Sequence, residues 1–148
     1  FPDFVFCVAD EFLYCVVHEY CYKFEYLRLI MKIMIDAVHC LVNSDWTLNE
    51  ELADYLRYLD LKVYVITNAP SDKISAIIDD FEIFTLENNP PKTDSKYFEI
   101  FLEKVGSSDD LYYADHLKDN LDSAKSAGIT NTFLWTGDLD RLKDWLNN

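Results

Sequence analysis

From residue 31 onward the chain alternates short apolar runs with stretches of helical period, and few folds satisfy that alternation. Lys32 to Asp36, Lys62 to Thr67, Phe81 to Leu86, Leu111 to Asp115 and Thr132 to Trp135 read as strands. Strands that alternate with helices build a parallel sheet with helices on both faces, so the expected class is a single α/β domain.

The intervening segments carry helix signals. Thr47-Leu48-Asn49-Glu50 reads as a capping box, followed by Leu52, Tyr55, Leu56 and Leu59 at helical spacing. Pro70-Ser71 opens a second helix with Ile74, Ile77 and Ile78 inward. After the proline-containing loop from Asn88 to Lys92, either Thr93 or Asp94 caps a third helix. Tyr97, Phe98, Phe101, Leu102 and Val105 share one face of that helix, which Gly106 closes. These aromatics read as core rather than as a base-stacking platform. A fourth helix runs from about Lys118 to Gly128, and a last one starts near Asp138 and presents Leu139, Leu142, Trp145 and Leu146.

Residues 1–30 do not share this order. They are rich in Phe and Tyr and contain Cys7, Cys15 and Cys21, with no clean period of 2 or 3.6. Two readings stand: an extension that packs on the domain, or residues ahead of a true start at Met31. The second is favoured, because residue 1 is not Met and a whole domain can be drawn from Met31.

A formal charge of −14 over 148 residues leaves no basic surface to neutralise phosphates, which argues against nucleic-acid binding and against adsorption to anionic membranes. No uncharged apolar run approaches the roughly 20 residues of a membrane span. The first residues lack the basic stretch of a secretory signal. Cys7, Cys15, Cys21 and Cys40 form no C-x-x-C pair, so reduced thiols in a cytoplasmic protein are expected rather than zinc or disulfides.

Polar residues stop three of the strands. Asp36 ends the first, Thr67 the second and Asp115 the fourth, while Lys92 precedes a helix. Ligands of open parallel sheets bind outside the carboxyl ends of the strands. Two acids, a hydroxyl and a cation converging there suit a phosphoryl group and a divalent metal. Each residue also has a plainer use. Asp36 can be a turn former, Thr67-Asn68 a helix cap, Asp115 a cap for the next helix, and Lys92 a solvated cation with Lys96 as a rival. Asp119 and Asp122 read as surface, His18, His39 and His116 as loop histidines, and Trp46 as a packing residue.

The order of these residues resembles the haloacid dehalogenase (HAD) superfamily. Its first motif, D-x-D-x-T-L, aligns with Asp36-Ala37-Val38-His39-Cys40-Leu41. Its second, a Thr or Ser ending a strand, matches Val65-Ile66-Thr67-Asn68. Its third, a Lys before a helix, matches Lys92-Thr93-Asp94-Ser95-Lys96-Tyr97-Phe98. Its fourth, an acidic strand end followed by N-x-x-x-A-x-x-x-G, matches Asp115 with Asn120, Ala124 and Gly128. The resemblance covers residues 31–148 and implies a Rossmann-like domain. Short connections after Asp36 and Thr67 leave no room for a cap domain.

The resemblance also implies roles. Asp36 would be the nucleophile that forms an aspartyl-phosphate. Asp36, the Val38 carbonyl and Asp115 would hold Mg²⁺. Thr67 would donate to a phosphoryl oxygen and Lys92 would neutralise growing charge. Asn68 and His39 would help to bind substrate, a small phosphorylated molecule.

One departure stands out: the second Asp of the first motif, which acts as general acid and base, is Val38 here. His39 and Cys40 replace the usual Gly and Thr, and His116 stands where many members have a further acid. The expected function is therefore a Mg²⁺-dependent phosphatase, weakened by Val38. The alternative is a non-catalytic HAD-like domain that binds a ligand or partner. A receiver-type signalling domain ranks below both, because its paired acids would precede the phosphorylated Asp.

Overall fold

The first strand lies at the centre of the sheet in the computed structural model, which describes residues 31–148. The expectations for residues 1–30, including those for Cys7, Cys15, Cys21 and His18, fall outside the described residues. Strands β1 (Lys32–Asp36), β2 (Lys62–Thr67), β3 (Glu82–Thr85), β4 (Leu111–Asp115) and β5 (Asn131–Leu134) form one parallel sheet in the order β3-β2-β1-β4-β5. The order reverses on either side of β1. A reversal of this kind opens a crevice at the carboxyl edge of a doubly wound sheet. This is a Rossmann-like α/β domain, as the alternation of elements predicts.

Register fixes what meets in that crevice. Asp36 pairs with Ile66, one residue before Thr67, and Ile35 pairs with Ala114, one residue before Asp115. Three adjacent strands therefore deliver their terminal polar residues side by side.

Among the described residues, five helices cover the sheet: α1 (Glu50–Tyr58), α2 (Ser71–Ser75), α3 (Ser95–Val105), α4 (Lys118–Ser126) and α5 (Leu139–Asn147). Alternate strand residues point to opposite faces. Ile33, Ile35, Val63 and Val65 pack with Leu52 and Leu56 of α1, Ile74 of α2 and Leu139 and Leu142 of α5. Met34, Tyr64, Ile66 and Tyr113 pack instead with Tyr97, Phe98 and Phe101 of α3 and Leu121 and Ala124 of α4. The aromatic face of α3 is core, as its spacing indicates. Edge-to-face contacts join Phe84 to Tyr97 and to Phe101. The connections from β1 to α1 and from β2 to α2 are loops and turns with no folded unit inserted.

Local chemistry departs from expectation in a few places. The N-cap of α1 is Asn49, whose Oδ1 accepts from Leu52 N at 3.3 Å. Thr47 is diverted, because its hydroxyl and backbone N–H both bond Asp45 Oδ1, so the expected capping box does not form. Helix α2 ends at Ser75, which leaves Ile77 and Ile78 in the turn beyond it. The ends of β3 and β5 fall short of Leu86 and Trp135. Asp94 rather than Thr93 caps α3 through Lys96 N. Trp46 packs outside the core: it is 41% exposed, and Lys73 Nζ lies 4.1 Å from its ring centroid.

Candidate active site

The carboxyl ends of β1, β2 and β4 bring Asp36, Thr67 and Asp115 together, and the loop before α3 inserts Lys92 among them. All four are buried, with Asp36 at 2%, Lys92 at 3% and Asp115 at 0% exposure. Buried charges require partners, and here each has several. Lys92 Nζ donates to Asp115 Oδ2 at 2.8 Å and also to Asp36 Oδ1, so one ammonium spans both acids. Burial works against that charge, but the attraction of Asp36 and Asp115 outweighs it and holds the amine above its ordinary range. The sequence left Lys96 as a rival for this position. Lys96 is instead an exposed partner of Glu99, 3.2 Å away.

Asp115 is held from several sides. Its Oδ2 accepts from Tyr113 Oη and, at 3.0 Å, from Asn120 Nδ2. Its Oδ1 accepts from Leu117 N at 2.8 Å. That contact closes the turn before the helix; Leu117 is the N-cap of α4 and no side chain caps it, so the capping use read for Asp115 is not made. Burial and the Asp115 charge push the Tyr113 phenol far above its usual range, so it stays a donor.

The Asp36 carboxylate has Lys92 on one oxygen and two further groups on the other. His116 Nδ1 lies 2.6 Å from Asp36 Oδ2 and 3.4 Å from Asp115 Oδ1. The Cys40 thiol donates to the same Asp36 Oδ2 at 3.5 Å. The bond to Asp36 raises the His116 imidazole above the usual histidine range, against an opposing effect of burial. His116 is therefore no bystander of the loop, as its sequence position alone would have it. Burial, reinforced by Asp36, drives the Cys40 thiol far upward and keeps it protonated.

The remaining predicted residues line the rim or brace the loops. The Thr67 hydroxyl accepts from Ala69 N at 3.0 Å, which leaves its proton to donate. Asn68 Oδ1 accepts from Lys92 N at 2.9 Å and so fixes the lysine loop. Tyr97 Oη donates to Thr67 O and Phe84 O, pinning the end of β2 to α3. His39, exposed and at φ 71°, sets its ring edge-on to His116 with centroids 5.0 Å apart. Val38 bridges to Val42 and packs partly buried against the core.

Tyr113, Tyr97 and Cys40 were not singled out as site residues from sequence. Tyr113 had a usable signal, since it stands two residues before Asp115 and shares its face of β4.

The donor set suits a hard divalent cation in part. Asp36 Oδ2 and Asp115 Oδ1 face a common point, and carboxylate oxygens are what Mg²⁺ prefers. That point is now taken by His116 Nδ1.

No protein-family profile and no curated protein matches the chain. Among solved structures, the chain is similar to the core domain of a protein from Streptococcus pneumoniae TIGR4, provisionally named a phosphoglycolate phosphatase. The two align with a TM-score of 0.56 and 14% identity, over 80% of this chain and 96% of that one. At that identity the likeness establishes the fold alone: a Rossmann-like α/β core.

Proposed function

We propose that this chain is a HAD-type, Mg²⁺-dependent hydrolase of a small phosphorylated molecule. The observation that carries the reading is the Lys92 ammonium bridging two buried carboxylates at the switch point of the sheet. Its structural neighbour bears the name of a phosphate-ester hydrolase, which supports the same class. In this reading Asp36 attacks phosphorus, the ester oxygen leaves, and water then releases phosphate from the aspartyl-phosphate. Lys92 and the Thr67 hydroxyl stabilise charge on the phosphoryl oxygens. Asn68 holds the Lys92 loop, and Asn68 and His39 flank the substrate. Asp36, the Val38 carbonyl and Asp115 would hold Mg²⁺, which supplies charge neutralisation and orientation. His116, one-quarter exposed, is the group that gives way when Asp36 Oδ2 engages either metal or phosphorus.

The reading places the protein in the cytoplasm, where Cys40 stays reduced, with no nucleic acid or membrane as partner. It takes residues 31–148 as the functional unit, with no cap domain. A chain beginning at Met31 should melt at nearly the temperature of the full chain. A large drop would assign residues 1–30 to the core.

Magnesium tests the site directly. Two close carboxylates repel, so an ion bound between them stabilises the fold. At about 100 times Kd the gain is about 2.7 kcal/mol. Mg²⁺ should raise the melting temperature of the wild type and leave Asp115→Asn unmoved. An equal rise in both would remove Asp115 from the ligand set.

A second reading, a binding domain without turnover, draws on Val38. Its apolar side chain stands in the place of the acid/base and packs against the core.

A further inference from the structure

Two donors in this cleft are ones that an all-oxygen magnesium site does not use. Asp36, Cys40 and His116 each offer a ligand atom, and the three atoms lie within 4.8 Å of one another. The Asp36 Oδ2 to Cys40 Sγ separation is 3.5 Å, and Asp36 Oδ2 to His116 Nδ1 is 2.6 Å. A tetrahedral ion with bonds of about 2.0–2.3 Å spaces its ligands roughly 3.3–3.8 Å apart. The thiol–carboxylate edge already has that length. The imidazole–carboxylate edge is shorter because a proton joins those atoms, and His116 sits on the connection into α4 with its side chain one-quarter exposed.

The backbone holds the set in place. Cys40 lies in the turn after β1, with its carbonyl accepting from Asn49 Nδ2 at 3.1 Å and its N–H donating to Ala37 O at 3.3 Å. Asp36 ends β1 itself. Two of the three ligands are therefore on rigid backbone, and the third is on the short connection into α4. Carboxylate, thiolate and imidazole together favour a borderline ion over magnesium, which prefers oxygen alone.

We propose that the cleft binds a divalent ion of the zinc class through Asp36 Oδ2, Cys40 Sγ and His116 Nδ1. The fourth position stays open to the cleft. On binding, the Cys40 thiol proton and the His116 Nδ1 proton both pass to solvent, and the imidazole coordinates through Nδ1 with its remaining proton on Nε2. The zinc-class ion and Mg²⁺ share Asp36 Oδ2, so they exclude one another. If Asp36 is the nucleophile, as in the proposed function, the zinc-class ion also blocks turnover. That consequence alone rests on the phosphatase reading.

Cobalt(II) is the probe, added to the full chain under reducing conditions without substrate. One equivalent should give tetrahedral visible bands and a thiolate-to-cobalt charge-transfer band in the near ultraviolet. Zn²⁺ should abolish both, and excess Mg²⁺ should not. The triple variant Cys7→Ser, Cys15→Ser, Cys21→Ser should keep the charge-transfer band. Cys40→Ser should lose it. Zinc affinity, measured by competition with a chromogenic chelator, should fall at least about 10–100-fold in Cys40→Ser and in His116→Asn. His116→Asn changes a rim residue, so it serves if Cys40→Ser fails to fold. An octahedral cobalt spectrum, or a charge-transfer band that survives Cys40→Ser, would overturn the proposal. So would an unchanged zinc affinity in folded His116→Asn. None of these readouts involves phosphate chemistry, so their failure leaves the phosphatase reading intact, and an inactive enzyme leaves the zinc site intact.

Discussion

Lys92→Met should destabilise the metal-free protein by about 3–5 kcal/mol, the cost of removing one partner from a buried ionic network. For a domain of this size that is a fall in Tm of roughly 10–20 °C. The cause is the position of Nζ between Asp36 and Asp115, both almost wholly buried. Met retains most of the apolar stem, so the loss isolates the charge. His116 would remain as the cation facing the pair. Its folded pKa is raised, first by the bond to Asp36, so its contribution is complete below the ordinary histidine value of about 6.5 and fades as pH rises through the folded value. The deficit of Lys92→Met should therefore be smaller at about pH 5.5 than at about pH 8.5. Calorimetry at the two pH values measures it. A deficit of under about 1 kcal/mol at either pH would place Lys92 among weakly coupled surface cations.

Why was so much of this cleft legible beforehand, and the rest not? Strand ends carry a local signal: an apolar run stops at a polar residue. That located Asp36, Thr67 and Asp115, and the parallel register then forces them together. Lys92 was legible only through its place in an ordered set of motifs. His116 lies 80 residues from Asp36 in sequence, and no periodicity links them, so its contact with that carboxylate could not be read.

Cys40 is four residues from Asp36, yet was equally hidden. The pair meets because the turn takes a positive φ at His39, a conformation that a non-glycine residue does not announce. Thr47 shows the reverse failure. The capping pattern is present, but Asp45 offers the threonine a nearer partner, and local side-chain competition decides caps.

Val38→Asp separates enzyme from binding domain, and it carries the largest expected effect on activity. If Asp36, Thr67, Lys92 and Asp115 form a working phosphoryl-transfer site, the missing function is proton transfer. The first step then survives best with a leaving group that needs no proton, so wild type should turn over activated aryl or acyl phosphates weakly and alkyl esters hardly at all. Release of phosphate from Asp36 should also be slow, since no carboxylate activates water. A carboxylate at position 38 supplies both roles, and a placed general acid/base contributes about 10²–10⁴-fold. Turnover of Val38→Asp in Mg²⁺ should rise toward that range, most on substrates with poor leaving groups, and Asp36→Asn should abolish it. The new side chain leaves a partly buried apolar position, at a cost if unpaired. The neighbouring His39 and the His116 ring packed against it offer polar partners that a purely apolar surround would not. Circular dichroism and a cooperative melt must show the variant folded before rates are compared. A folded, Mg²⁺-loaded Val38→Asp protein that stays inert across aryl, acyl and alkyl phosphates would exclude the phosphatase reading and leave the domain as a binder.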